Sequence, residues 1–121
     1  MDDHDYRLDN GDKTMPIKDV IRKRFLDFLG EPEDSVRRSR EGGICESYFL
    51  DPEKKVKLIL LDNRYSSEQK NDPGVADDER TALGDVQDKW LREEIMNSTA
   101  HFTIIGARIQ MIRDDRHQEL F

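Results

Sequence analysis

The sequence predicts a small α/β protein, because two kinds of apolar pattern alternate along it. Continuous apolar runs at 44–50, 56–61 and 102–105 are typical of β-strands, whereas 17–29 and 83–95 repeat apolar residues every three or four positions, as amphipathic helices do. The chain has 121 residues, of which 35% are hydrophobic and 39% charged. This length allows one domain at most, and the composition predicts a lean core. We therefore expect either a marginal domain or a piece of a larger one.

Charge, cysteine content and hydropathy exclude several classes of function. The formal net charge of -7 argues against sequence-independent nucleic-acid binding, which depends on Lys and Arg side chains that neutralise phosphates. The single Cys45 cannot form a disulfide within the chain. No apolar stretch approaches the length of about 18 residues that spans a bilayer. There is also no charged-then-apolar leader, so we expect neither a membrane span nor a signal peptide.

The first residues, Met1-Asp2-Asp3-His4-Asp5-Tyr6, gather three carboxylates, an imidazole and a phenol. Carboxylate oxygens suit hard divalent ions, imidazole suits iron, zinc and manganese, and a mixed set of ligands can hold two metals side by side. The alternative is an acidic terminus without fixed structure, because the first residues of most chains are poorly ordered. Composition alone leaves both interpretations open.

The predicted helix at 17–29 follows Thr14, a candidate cap, and Pro16, which suits a first helical turn. Gly30 ends it. The predicted apolar stripe consists of Ile17, Val20, Ile21, Phe25 and Phe28. The opposite face is basic and carries Lys18, Arg22, Lys23 and Arg24. Such a face usually meets solvent, although it could also meet an anionic ligand.

A polar segment at 35–43 follows this helix and contains Arg37, Arg38 and Arg40. Guanidinium groups match the geometry of phosphate oxygens, so these arginines could steer a phosphate. A mobile basic loop has the same composition, and we expect this second interpretation to hold more often.

The runs 44–50 and 56–61 flank the turn Asp51-Pro52-Glu53-Lys54, which predicts a β-hairpin. The second run is nearly all apolar, so we expect a central strand that is buried on both faces. The segment Asp62-Asn63-Arg64-Tyr65, here called the strand exit, follows at the carboxyl end, where α/β sheets tend to place ligand-binding groups. It could instead be a structural exit whose polar side chains satisfy backbone groups.

The remaining chain contains a long polar loop, a helix, a strand and a charged tail. Residues 66–80 are predicted to form a mobile loop, which is either a lid or simply disordered. Within the helix at 83–95, Trp90 is expected in the core, and the strand at 102–105 leads to Gly106. Asn97-Ser98-Thr99 satisfies the N-glycosylation pattern, which matters only in a secreted chain. Residues 113–121 are predicted to be a disordered tail, with a second metal cluster as the alternative.

Taken in order, these segments resemble the middle of a PhoD-like alkaline phosphatase, a branch of the metallophosphoesterases. The matching segments are Asp2-Asp3-His4-Asp5-Tyr6, the helix at 17–29, Gly43-Ile44, Leu60-Leu61-Asp62-Asn63-Arg64-Tyr65, Leu83-Gly84 with Gln87 and Trp90-Leu91, Ser98-Thr99-Ala100, and Ile104-Ile105-Gly106 with Ile109-Gln110. The resemblance spans nearly the whole of 1–121. It implies a partial metallophosphoesterase-like sheet with flanking amphipathic helices.

The resemblance also implies an activity and roles for individual residues. It implies hydrolysis of phosphate mono- or diesters, in which two or more metal ions, iron and calcium, bind phosphate and activate the attacking hydroxide. By position, Asp3 falls on a metal ligand, Asp2 on a further ligand, and His4 on the residue that contacts or protonates the leaving oxygen. Asp5 would orient His4, and Arg64 would support the site or contact phosphate.

The sequence departs from the family pattern at several positions. Met1 stands where the family has a tryptophan, Arg7 replaces a glycine, Cys45 replaces an aromatic residue, and Arg108 lies in a small-residue step. The earlier metal-binding strands and the later histidine-bearing strands have no counterpart. We therefore expect a fragment that does not bind the full metal set and is inactive by itself. The alternative is a non-catalytic module that binds calcium or a protein through its acidic opening.

Overall fold

The computed structural model describes residue 5 and the ranges 11–68, 73–76 and 81–108. In chain order, the helices and strands in these ranges are α1 (Lys18–Phe28), α2 (Val36–Ser39), β1 (Glu46–Phe49), β2 (Val56–Leu60), α3 (Gly84–Met96) and β3 (Phe102–Gly106). The predicted α/β class is confirmed, while the metallophosphoesterase-like form of the sheet stays a prediction. No helix in the described ranges is both long enough and apolar enough to cross a membrane.

The three strands form one mixed sheet in the order β1-β2-β3. β1 runs antiparallel to β2, with Glu46 opposite Leu60, which confirms the predicted hairpin. β3 runs parallel to β2, with Val56 opposite Phe102. The run at 56–61 therefore supplies the central strand, as predicted.

The connection from β2 to β3 passes through α3, which covers one face of the sheet. Leu91 of α3 packs with Ile59 and Leu61 in a small buried core. Trp90 is half-buried and packs against the same cluster, so the predicted core position of this residue is confirmed. A parallel pair of strands needs a long crossover of this kind, because both strands must start at the same edge of the sheet.

The prediction that β2 is buried on both faces is wrong. Burial alternates along the strand: Lys57 and Ile59 are buried, whereas the neighbours at 56, 58 and 60 are only half-buried. Side chains alternate between the two faces of a strand, and α3 covers only the face that carries Lys57 and Ile59. The Lys57 ammonium lies 2.6 Å from the Glu94 carboxylate of α3, so this buried cation has an anionic partner.

The predicted apolar stripe of α1 has the correct period but the wrong phase. Val20 is 52% exposed and Phe28 is 84% exposed, whereas Leu26 is 1% exposed. The inward face instead carries Lys18, Arg22 and Leu26, which recur every four residues. The two basic residues can lie on this face because their side chains donate to carbonyl oxygens elsewhere in the fold. The predicted Thr14 cap is also wrong, since N-cap Ile17 has no capping side-chain bond.

Only parts of the predicted loop and none of the predicted tail lie within the described residues. Where the loop is described, its two ends are joined by a backbone bond of 2.9 Å from the Glu68 N–H to the Thr81 carbonyl. The described ranges do not include residues 69–72, 77–80 and 113–121. The mobile loop and the disordered tail therefore stay predictions.

Candidate functional site

The strand exit lies at the carboxyl edge of the parallel pair β2 and β3. Leu60 at the end of β2 is opposite Gly106 at the end of β3. The pairing continues for one more step, because the Leu61 N–H donates to the Gly106 carbonyl at 2.9 Å. The exit therefore leaves the sheet from an ordered edge, which is where α/β folds commonly bind ligands.

Asp62, the first residue of the exit, uses its carboxylate to hold the surrounding backbone. This residue is 0% exposed. One carboxylate oxygen accepts from the N–H of Ile44 at 3.1 Å, and the other accepts from the N–H groups of Arg64 and Tyr65, each at 3.1 Å. Hydrogen bonds to a carboxylate are stronger than neutral ones. Of the two interpretations of Asp62, the structure therefore supports the structural exit that satisfies backbone groups.

A glycine allows the 42–44 turn to approach this carboxylate. Gly43 has a φ of 103°, a conformation that L side chains rarely adopt. A Cβ atom at this position would lie only 2.6 Å from Asp62 Oδ2. The turn before β1 and the exit after β2 are thus fitted to each other, and the fit depends on the missing side chain.

Gln87 of α3 completes this arrangement, and reasoning from residue pattern alone did not assign it a role. Its side chain is 0% exposed. The amide oxygen accepts from the Asp62 N–H at 2.8 Å, and the amide nitrogen donates to the Asp62 carbonyl at 2.7 Å. The same nitrogen approaches the carbonyls of Leu83 and Gly42 at 3.3 and 3.4 Å. A usable signal did exist, since Gln87 is spaced three and four residues from Trp90 and Leu91.

Asn63 connects the exits of the two parallel strands. It is buried, and its side-chain oxygen accepts from the N–H of Arg108 at 3.2 Å. A backbone N–H can only donate, so this bond fixes which end of the amide faces Arg108. The other end, Nδ2, is buried and makes no hydrogen bond to a described residue. The backbones that carry Arg64 and Arg108 are therefore held at the same edge of the sheet.

Tyr65 joins the exit to α1. Its carbonyl accepts from Lys18 Nζ at 3.2 Å, and the same ammonium lies 4.4 Å from the centre of the Tyr65 ring. The phenol donates to Asp19 at 2.5 Å. Burial, together with this bond to Asp19, raises the pKa of Tyr65 above its usual value. The basic face of α1 thus packs in part on the exit, rather than meeting only solvent.

The arginines of the 35–43 segment are bound to protein groups. Arg37 donates to the Ile44 carbonyl at 2.9 Å, Arg38 to an Asp27 oxygen at 2.6 Å, and Arg40 to the Cys45 carbonyl at 2.6 Å. The segment contains α2, whose last carbonyls accept from Arg22 of α1. These bonds hold the segment against the rest of the fold, so it is not the mobile basic loop that was expected.

The residues predicted as catalytic and metal-binding, His4, Asp2 and Asp3, lie outside the described residues. Asp5 is described and lies in an exposed turn. Across 11–68, 73–76 and 81–108, no three histidine, cysteine or carboxylate side chains are grouped so as to hold a metal ion. The carboxylate of the strand exit, that of Asp62, is turned inward onto backbone N–H groups. This part of the chain therefore does not by itself fit a metal centre.

Comparison with known proteins gave one match. The model of a family described as PhoD-like phosphatase matches residues 50–120. The match covers β2, the strand exit, α3 and β3. No curated protein and no solved structure matches the chain.

Proposed function

The chain belongs to the PhoD-like phosphatase family, and we propose that it forms part of a metal-dependent phosphatase that hydrolyses phosphate mono- or diesters. The supporting observation is the strand exit. The residues that match the family include both Asp62 and Gln87. The hydrogen bonds that join the strand exit to α3 therefore lie within the matched region. A family match combined with a hydrogen-bonded carboxyl edge favours a site at this edge.

Arg64 is the described residue that we propose to contact phosphate. Its N–H is fixed on the Asp62 carboxylate, so the start of its side chain is held at the carboxyl edge of β2. A guanidinium group offers several donors in a plane that matches two phosphate oxygens. In this proposal Asp62 and Gln87 are positioning residues, because they bind backbone groups and not the substrate.

For the acidic opening we propose the roles that the resemblance to the family implies. Asp2 and Asp3 would supply oxygen ligands to metal, and iron and calcium are the ions expected. His4 would donate a proton to the leaving oxygen, and Asp5 would orient the imidazole. These roles require His4 to lie close to the substrate held by Arg64.

We further propose that the isolated chain is inactive. Each metal ion takes about four to six donor atoms, and the described residues offer no group of three ligands. The acidic opening alone supplies two or three. In this proposal the remaining donors come from other segments of a complete PhoD-like phosphatase.

Hydrolysis of a chromogenic phosphate ester tests the proposal. We expect no turnover by the 121-residue chain and metal-dependent turnover once the chain is extended by the flanking segments of a complete PhoD-like phosphatase. In the extended protein, His4→Ala should lower kcat by about 10²-fold, a typical contribution of a general acid. Arg64→Ala should raise KM for the ester, whereas Arg92→Ala, on the exposed side of α3, should change neither constant. Unchanged turnover in the His4 variant would refute its role.

The alternative function is a non-catalytic module that binds calcium or a protein. The observation in its favour is the apolar surface of β3, where Phe102 is 70% exposed, since such surfaces often bind partners. Calorimetric titration of the chain with calcium separates the two functions. Tight, stoichiometric binding, together with an extended protein that hydrolyses no ester, would favour the module.

A further inference from the structure

The turn that follows α3 places the sequence Asn97-Ser98-Thr99 at the surface. Asn97 is the last residue associated with the helix, and both Asn97 and Thr99 are exposed. The backbone of the turn is fixed, because the Asn97 N–H donates to the Glu93 carbonyl at 3.0 Å and the Ser98 N–H to the Ile95 carbonyl at 3.2 Å. This is an ordered, outward-facing turn.

The two side chains that N-glycosylation requires are available at this turn. Within the described ranges, neither the Asn97 amide nor the Thr99 hydroxyl takes part in a hydrogen bond or ion pair. The middle hydroxyl is different, because Ser98 Oγ accepts from the Ala100 N–H at 3.3 Å. The pattern requires a residue other than proline between the asparagine and the threonine, and Ser98 meets this requirement. This is also the only Asn-X-Ser/Thr sequence with X other than proline in the chain.

We propose that Asn97 is an acceptor site for N-linked glycosylation in a form of the protein that is carried into the secretory pathway. The donor is a lipid-linked oligosaccharide diphosphate, and a membrane-bound oligosaccharyltransferase carries out the transfer. The Asn97 side-chain nitrogen forms a bond to the first carbon of the sugar, while the bond from that carbon to the diphosphate oxygen breaks. The lipid diphosphate leaves with the bonding electrons, and the amide proton passes to a base of the transferase.

The position of Asn97 separates this site from the proposed phosphatase site. The turn precedes Phe102 at the amino end of β3, whereas the strand exit lies beyond Gly106 at the carboxyl end. Five residues at about 3.3 Å each place these two ends roughly 13–16 Å apart. A glycan on Asn97 would be attached beside Met96, which is 82% exposed, at the end of β3 that lies away from the exit.

Cell-free translation with endoplasmic-reticulum microsomes tests the proposal. The 121-residue chain is placed behind a cleavable signal sequence, and only the protease-protected fraction is analysed. We expect a slower-migrating band that peptide:N-glycosidase removes. Thr99→Ala should abolish the band, whereas Ser98→Ala, the matched control, should retain it because it leaves the pattern intact. A protected chain without the band, or a band that persists in the Thr99 variant, would overturn the proposal.

A second measurement tests the exposed placement. The thermal unfolding midpoint of the glycosylated chain should equal that of the enzymatically deglycosylated chain, since an outward-facing turn tolerates the added sugar. A large drop in the midpoint on glycosylation would contradict this placement. Both measurements are independent of ester hydrolysis, so a failed glycosylation test leaves the proposed phosphatase function untouched.

Discussion

Replacing Gln87 by leucine should destabilise the protein severely. The substitution removes the two bonds, at 2.8 and 2.7 Å, by which this buried amide binds the N–H and the carbonyl of Asp62. Each buried group that loses such a bond costs about 1–3 kcal/mol, which gives about 2–6 kcal/mol in total. Since a typical domain has about 5–15 kcal/mol of stability, the loss is a large share of it.

Urea denaturation followed by fluorescence measures this loss. Trp90 is the only tryptophan in the sequence and packs on the core beside Gln87, so its emission reports unfolding of the same region. For a slope of about 2 kcal/mol per molar urea, the unfolding midpoint should fall by about 1–3 M. A chain that shows no cooperative transition at all would match the upper end of this range.

The matched control places the same new side chain on the exposed face of the same helix. Glu93→Leu exchanges two good helix formers at an exposed position, so its free energy of unfolding should stay within about 0.5 kcal/mol of the parent value. If Gln87→Leu unfolds at the same urea concentration as Glu93→Leu, the Gln87 contacts do not hold the exit, and the reasoning is refuted.

Three further predictions concern other contacts. Gly43→Ala should lower the free energy of unfolding by about 1–3 kcal/mol, which is more than Gly30→Ala should cost in the same urea assay. Both glycines have a positive φ, but an added Cβ meets a carboxylate oxygen at 2.6 Å only at Gly43. Equal losses of free energy in the two variants would contradict the close approach. Burial raises the pKa of Glu94, but hydrogen bonds, first of all from Lys57, bring it below the ordinary 4.5. The ionised Glu94 therefore contributes its full stabilisation above pH 4.5, and this contribution is lost as the pH falls through the lowered pKa. In Glu94→Gln, the free energy of unfolding should depend less on pH in this acid range. Burial also raises the pKa of the Cys45 thiol above its ordinary 9.0, so a chromogenic disulfide reagent at pH 8 should react much faster in urea than with the folded chain, and equal rates would argue against burial.

The strand pattern was a good guide to the sheet, while the helix pattern was a weaker guide to packing. The run at 56–61 is apolar enough to predict a central strand, and the short turn before it predicts the hairpin partner. For α1, periodicity predicted a helix but not its inward face, because Lys18 and Arg22 bury their stems against Tyr65 and α2 and donate to carbonyl oxygens. Hydropathy assigns such residues to solvent, since it contains no information about available acceptors.

The candidate site was predicted in part. The place of Asp62 and Arg64 followed from the end of a buried strand, and the structure decides that the Asp62 carboxylate serves the backbone. Gln87 was not predicted as a site residue, because the hydropathy of a glutamine is that of a residue that faces water, although its spacing from Trp90 and Leu91 places it on the buried side of α3. The roles of Asp2, Asp3 and His4 stay predictions.

The mixed sheet has a consequence for the order of folding. The antiparallel pair β1 and β2 is joined by a short turn, and hairpins form in about 1–10 μs. The parallel pair β2 and β3 must close a much longer loop that includes α3, and the entropy cost of closure increases with loop length. We therefore expect the hairpin to form early and β3 to dock late. The carboxyl edge with the strand exit is then the last part of the sheet to be completed, so pulse-labelled amide exchange should protect Leu61 after Tyr48.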